Sequence, residues 1–153
     1  MKVLIIGGAG YLGIPLSNSL HNCDITVYDK FLYSNITFLK KDIVIINDDV
    51  SNIEKYDELL NSQDVIIYLA SPRLLELTDS SQLNLPINQF KKTIELIKNE
   101  KIRFIFSSSC SVYGKRTDVV NEKSDTQISS LYSELKISCE NILLSKNNPK
   151  FKI

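Results

Sequence analysis

Short apolar runs alternate with longer stretches of mixed apolar and polar residues along the whole chain. The runs at residues 2–6, 24–28, 64–69 and 102–107 consist almost entirely of large apolar side chains. Such runs are typical of strands buried on both faces of a parallel sheet. We therefore expect a strand at each of them, a shorter third strand at residues 36–40 that ends at Asp42, and the beginning of a sixth at residues 151–153.

The segments between the runs repeat their apolar residues with the period of a helix. Leu12, Leu16 and Leu20 share one face of a helix predicted at residues 11–21, and Pro15 stands early enough in it to be tolerated. Further helices are expected at residues 50–61, 82–99 and 130–145. This alternation predicts an α/β fold, a doubly wound parallel sheet of the Rossmann type that is truncated after about five strands.

Composition excludes several classes of function. The 18 basic and 18 acidic side chains give no net charge, so we expect no nucleic-acid partner. No apolar run is long enough to cross a bilayer, and no membrane partner is expected. Cys23, Cys110 and Cys139 lack metal-ligand spacing, which predicts reduced thiols, a cytoplasmic protein and no metal site. With His21 as the only histidine, a Ser-His-Asp triad is not expected.

Three glycines follow the first apolar run. Gly7, Gly10 and Gly13 are spaced three apart between the first predicted strand and helix. Glycine adopts backbone conformations that are closed to other residues, and it lets a pyrophosphate approach the start of the helix. Asp29 ends the second run, where a carboxylate can accept hydrogen bonds from a ribose. This favours NAD over NADP, although Lys30 weakens the preference and a solvated turn aspartate is the alternative.

Two polar clusters follow the fifth run. Ser107, Ser108 and Ser109 come directly after it, and Tyr132 and Lys136 share one face of the last predicted helix. A serine-rich loop or a solvated Tyr/Lys pair is ordinary by itself. In this order on a parallel sheet, however, both clusters are expected at the carboxyl edge, where such sheets bind ligands.

Together these motifs resemble those of the extended short-chain dehydrogenase/reductase family, the NAD-dependent sugar-nucleotide epimerases and dehydratases. The resemblance covers the glycine turn, the pair Asp42-Ile43, the segment from Tyr68 to Ser71, the serine loop that ends at Gly114, and the Tyr/Lys pair, which Glu140 follows. It implies NAD as cofactor, a nucleotide sugar as substrate, and Ser109, Tyr132 and Lys136 as catalytic residues.

The resemblance also implies a set of cofactor-binding residues, in which Asp42 and Ile43 border the adenine. Asn84 is the candidate on the helix at residues 82–99, with Asn88 as its competitor. The full set is Gly7, Gly10, Tyr11, Leu12, Gly13, Asp29, Asp42, Ile43, Leu69, Ala70, Ser71, Asn84, Ser107, Tyr132 and Lys136.

The implied chemistry is a transient hydride transfer. An ordinary tyrosine has a pKa near ~10, and the Lys136 ammonium and the positive nicotinamide would lower the pKa of Tyr132 so that it acts as a base. Ser109 would hold the same substrate oxygen. A net oxidoreductase or decarboxylase of the same superfamily, or a non-catalytic NAD-binding fragment, remains an alternative.

Length is the largest departure from the family. Its members are longer, and their second half supplies most of the nucleotide-sugar pocket. We therefore expect residues 1–153 to form the NAD-binding Rossmann domain, with the C-terminal substrate-binding part absent. A homodimer or a complementing chain is expected as a partner.

Overall fold

Six parallel strands form one sheet in the structure, a computed structural model that describes residues 1–73, 76–146 and 151–152. The order across the sheet is β3-β2-β1-β4-β5-β6, which confirms the doubly wound Rossmann-type fold. The strands are β1 (Lys2–Ile6), β2 (Asp24–Asp29), β3 (Val44–Asn47), β4 (Val65–Tyr68), β5 (Arg103–Phe106) and β6 (Phe151–Lys152).

The sixth strand lies where the sequence predicts its beginning, at the end of the described chain. Phe151 and Lys152 pair with Phe104 and Ile105 of β5. The edge of β5 is therefore covered over two residues, whereas Ile153, which was assigned to the same strand, lies outside the described residues.

Four helices connect the strands: α1 (Gly13–Ser19), α2 (Asp57–Asn61), α3 (Asn84–Leu96) and α4 (Leu131–Ser145). Pro15 is the third residue of α1, and the first turn of the helix tolerates the one hydrogen bond that its missing N–H group leaves out. Short 3₁₀ turns precede α2 and α3 at Val50–Tyr56 and Ser80–Leu83. Helix α1 is thus shorter than predicted, and the helix expected from residue 82 begins as a tighter turn.

The prediction of a third strand at residues 36–40 is wrong. Ile36–Phe38 form a 3₁₀ turn, because the side chain of Asn35 accepts a hydrogen bond from the Thr37 N–H at 3.0 Å and caps that turn. The strand lies further along the chain, where Val44–Asn47 pair with β2. The carboxyl end of β3 therefore points to Asp48 and Asp49 rather than to Asp42.

Each face of the sheet carries its own apolar core. Leu4 and Ile6 of β1 contribute to the core under α3 and α4, together with Phe90 and Phe104. Val3 and Ile5 contribute to the opposite core, under α1. This alternation explains why the strand residues are nearly all apolar. In the part of the chain that the structure describes, none of the helices has the length and apolar character that a membrane crossing requires.

Candidate functional site

A cleft of about 420 Å³ opens at the carboxyl ends of β1 to β4. It lies where the sheet changes its direction of growth between β1 and β4, the usual ligand position in this fold. Its walls come from the loops that follow these four strands and from the start of α3. They include Gly7, Ala9, Gly10, Asp29, Lys30, Leu32, Tyr33, Asp48, Asp49, Val50, Leu69, Ala70, Ser71, Pro86 and Gln89.

The glycine turn forms one wall of this cleft. Gly7 has a φ of +81°, and its N–H donates to the Tyr28 carbonyl at 2.8 Å. A Cβ atom there would stand 2.4 Å from the backbone nitrogen of Ala70. The loops after β1 and β4 are therefore in contact at a distance that only glycine permits.

The other residues of the glycine turn lie partly at the cleft and partly in the solvent. Gly10 lines the cleft, whereas Tyr11 is 93% exposed and Leu12 is 59% exposed, and neither lines it. Gly13 is buried as the first residue of α1. Of the predicted cofactor residues in this turn, the structure brings Gly7 and Gly10 to the cleft and leaves the side chains of Tyr11 and Leu12 outside it.

Asp29 lies at the end of β2, as the sequence predicts, and lines the cleft. Its two carboxylate oxygens accept the N–H groups of Ala9, at 2.9 Å, and of Phe31, at 2.8 Å. The carboxylate thus connects the glycine turn to the loop after β2. Its remaining lone pairs are available for hydroxyl donors in the cleft.

Asp42 and Ile43 do not border the cleft. Asp42 is exposed, and Ile43 is buried in the core under α1. Both residues precede β3 and therefore lie away from its carboxyl end. Asp48, Asp49 and Val50 follow β3 and line the cleft in their place. These residues were not predicted from the sequence, although a polar end, Asn47-Asp48-Asp49, follows the apolar run at residues 44–46.

Asp48 and Asp49 are held as carboxylates by local donors. The side chain of Asn52 and the N–H of Asp49 donate to Asp48, and the pKa of Asp48 lies below its usual value. The N–H of Ser51 lowers the pKa of Asp49 in the same way, with a contribution from Lys30, whose Nζ is 3.5 Å away. This end of the cleft is therefore negatively charged and rigid.

Gln89, not Asn84, is the polar residue that α3 presents to the cleft. Its Nε2 donates to the Asp49 carboxylate at 3.1 Å and to the Ser51 hydroxyl at 2.6 Å. Asn84 and its competitor Asn88 are both exposed and do not line the cleft. Asn84 thus lies outside the cleft wall, because α3 turns that residue toward the solvent.

Lys136 is the centre of a second group of polar residues, which lies after β5 and outside the lining of the cleft. It is only 3% exposed, and its Nζ donates to the Ser107 carbonyl at 2.8 Å. The same Nζ lies 5.5 Å from the centre of the Tyr132 ring and 4.8 Å from that of Phe106. Burial lowers the pKa of Lys136, and the opposite effect of nearby acidic groups is smaller.

The serine loop packs against the same helix. The Ser108 hydroxyl donates to the Glu140 carboxylate, and the Ser109 hydroxyl accepts the N–H of Ser111 at 3.2 Å. Ser109 begins the 3₁₀ turn Cys110–Tyr113 and is partly exposed, as is Tyr132. The structure therefore brings Ser107, Tyr132 and Lys136 together beside the start of this turn.

A small cavity of about 10 Å³ lies beside this group. It is lined by Lys136 and Cys139 from α4, and it shares Tyr68, Ala70 and Ser71 with the cleft. The Tyr68 ring packs edge-on against Phe90 at 4.9 Å between the ring centres. The Lys136 group and the cleft therefore have part of the loop after β4 in common.

Comparison with known proteins gives a family match over most of the chain. Residues 3–150 match the sequence model of the NAD dependent epimerase/dehydratase family. A UDP-N-acetyl-alpha-D-glucosaminuronate decarboxylase from Bacillus cytotoxicus is 29% identical over 132 residues, which is 81% of this chain and 41% of the decarboxylase. A UDP-glucose 4-epimerase from Klebsiella pneumoniae is 26% identical over 136 residues, 78% of this chain and 96% of that protein.

A solved structure extends the similarity to three dimensions. The UDP-glucuronic acid 4-epimerase from Bacillus cereus, in complex with UDP-glucuronic acid and NAD, superposes with a TM-score of 0.83 at 26% identity. The match covers 97% of this chain and 53% of the epimerase. The chain therefore spans about half of that enzyme's length, and less of the decarboxylase's.

Proposed function

We propose that this chain, which belongs to the NAD dependent epimerase/dehydratase family, binds NAD in the cleft and acts on a nucleotide sugar. Its membership confirms the resemblance that the sequence motifs indicate. The single observation that carries the catalytic part of the proposal is the buried Lys136 ammonium, anchored to the Ser107 carbonyl and facing Tyr132.

The cleft has features that suit a dinucleotide. Its volume of about 420 Å³ falls within the usual range for small-molecule sites. Gly10 lies on its wall with no side chain to block a diphosphate, and the Asp29 carboxylate is positioned for the hydroxyls of a ribose. Asp49 and Val50 end the cleft at β3, where we place the adenine, in the role that the sequence analysis gave to Asp42 and Ile43.

When bound, NAD supplies a hydride acceptor and donor. The residues of this chain would supply the proton transfer and the orientation of the sugar. Tyr132 would take a proton from a sugar hydroxyl, and the Lys136 ammonium beside its ring would stabilise the resulting phenolate. Ser109, at the start of its 3₁₀ turn, would hold the oxygen that loses the proton.

UDP-sugars are the substrates that we propose, because all three relatives described above are named for UDP-sugar reactions. Epimerisation is the leading reaction. Decarboxylation is the second candidate, favoured by the similarity to the Bacillus cytotoxicus enzyme. Analysis of the products would distinguish the two, because decarboxylation releases CO2 and shortens the sugar by one carbon, whereas epimerisation keeps every atom of the substrate.

The substitution Tyr132→Phe tests the proposal. We expect it to keep the Kd for NAD, measured by titration calorimetry, and to lower turnover of a UDP-sugar about 100- to 10,000-fold, the usual effect of losing a general base. Tyr113→Phe is the matched control, since it removes a phenol from the same neighbourhood. A Tyr132→Phe variant as active as the wild type would contradict the catalytic assignment, and a wild type without measurable NAD binding would contradict the function.

A further inference from the structure

We propose that Glu140 is a positioning residue, which fastens the loop after β5 to α4 through Ser108 and provides the counter-charge for the buried Lys136 ammonium. The inference deepens the proposed function and rests on it for its catalytic meaning. The structural part of the inference depends only on two hydrogen bonds, from Ser108 to Glu140 and from Lys136 to Ser107.

Two successive residues of the loop are anchored to successive turns of α4. Lys136 donates to the Ser107 carbonyl, and Glu140, four residues further along the helix, accepts the Ser108 hydroxyl. Residues four apart lie one above the other on a helix, so the two anchors form a line parallel to its axis. A peptide segment held at two adjacent residues has little freedom to rotate, and Ser109 follows directly.

The charge of Glu140 has a second role. Lys136 is almost fully buried, and a buried ammonium without a counter-charge is strongly unfavourable. Its one hydrogen bond among the described residues goes to the neutral Ser107 carbonyl. Cys139 and Glu140 both oppose the lowering of the Lys136 pKa by burial, and Glu140 lies one helical turn away on the same face of α4.

The other titratable groups around Lys136 do not provide this charge. Burial raises the pKa of the Cys139 thiol to about 12, so the thiol is neutral at physiological pH. Burial likewise raises the pKa of Tyr68, on β4, well above its usual value. Tyr132 is the proposed proton acceptor. Among these groups, only Glu140 carries a carboxyl group.

Three substitutions separate the two roles. Glu140→Gln removes the charge but leaves an amide oxygen that can accept the Ser108 hydroxyl. Ser108→Ala removes the hydrogen bond but leaves the carboxylate. Glu95→Gln is the matched control, because Glu95 is exposed on α3 and pairs only with Lys91, at 3.9 Å.

Nuclear magnetic resonance of the full chain provides two readouts that need neither NAD nor substrate. In Glu140→Gln, we expect the midpoint of the Lys136 Cε titration to move to lower pH, because the ammonium loses its counter-charge. Ser108→Ala and Glu95→Gln should leave that midpoint unchanged. In Ser108→Ala, we expect faster amide exchange at Ser111, whose N–H donates to Ser109, and no such change in Glu95→Gln.

Turnover of a UDP-sugar provides the third readout. Both Ser108→Ala and Glu140→Gln should lower kcat about tenfold or more while the Kd for NAD stays unchanged, because the cleft is untouched. An unchanged Lys136 midpoint in Glu140→Gln would overturn the charge role, and unchanged exchange at Ser111 in Ser108→Ala would overturn the anchoring role. A wild type that binds no NAD overturns the proposed function instead, and the two resonance experiments still decide the role of Glu140.

Discussion

Replacing Gly7 by alanine tests whether the contact between the loops after β1 and β4 is as tight as the structure indicates. The left-handed backbone at Gly7 costs an alanine about 1–2 kcal/mol. The new Cβ would lie 2.4 Å from the Ala70 nitrogen and 2.6 Å from its Cα, so the backbone must move. Overpacking of this kind costs typically about 1–3 kcal/mol. The sum predicts a loss of about 2–5 kcal/mol in the free energy of unfolding.

Urea denaturation followed by circular dichroism measures this loss. Gly10→Ala is the control, because a Cβ at Gly10 meets only the Gly7 carbonyl, at an ordinary 3.5 Å. The free energy of unfolding of that variant should lie within about 0.5 kcal/mol of the wild-type value. Its affinity for NAD should nevertheless be lower, because the new methyl group would project from the cleft wall. A Gly7→Ala variant with wild-type stability would refute the reasoning.

Two further predictions concern the core. Phe90 is fully buried between Tyr68 and Phe106, so Phe90→Ala should cost about 3–5 kcal/mol in urea denaturation, whereas Phe38→Ala, at a side chain 60% exposed, should cost under about 0.5 kcal/mol. The buried Cys139 thiol, with its pKa raised from 9.0 to about 12, keeps its proton when the unfolded thiol has lost it. Stability should therefore fall as the pH rises above 9, with a contribution from Cys139 of up to about 1.4 kcal/mol per unit, and Cys139→Ala should make that slope shallower. An equal slope in both proteins between pH 9 and 10 would contradict this assignment.

The order of the elements was predictable from the sequence because the buried strands are nearly continuous in apolar residues. The error at the third strand shows the limit of that signal. Residues 36–40 and Val44–Asn47 are both short apolar runs, and their composition does not distinguish them. The deciding feature is the Asn35 cap, a local hydrogen bond that turns the first run into a 3₁₀ turn.

The position of Asn84 outside the cleft has a different cause, the rotation of α3 about its axis. Asn84 and Gln89 are five residues apart, and at about 100° per residue they point some 140° away from each other. The 3₁₀ turn Ser80–Leu83, closed by the reciprocal hydrogen bonds of Asp79 and Gln82, sets where α3 begins and thus which residue faces the cleft. The sequence identified the helix, but its rotation depends on packing that no single segment specifies.

The change in the sheet's direction of growth between β1 and β4 divides the sheet into an early and a late half, which meet at one strand pair. The cleft draws Asp29 and Asp49 from the early half and Ser71 and Gln89 from the late half. Any molecule bound in the cleft therefore contacts both halves of the sheet. Binding should therefore slow the local unfolding that separates the two halves. The amide protons of Leu69 and Ala70, both donated to the Ile6 carbonyl, would then exchange with solvent most slowly.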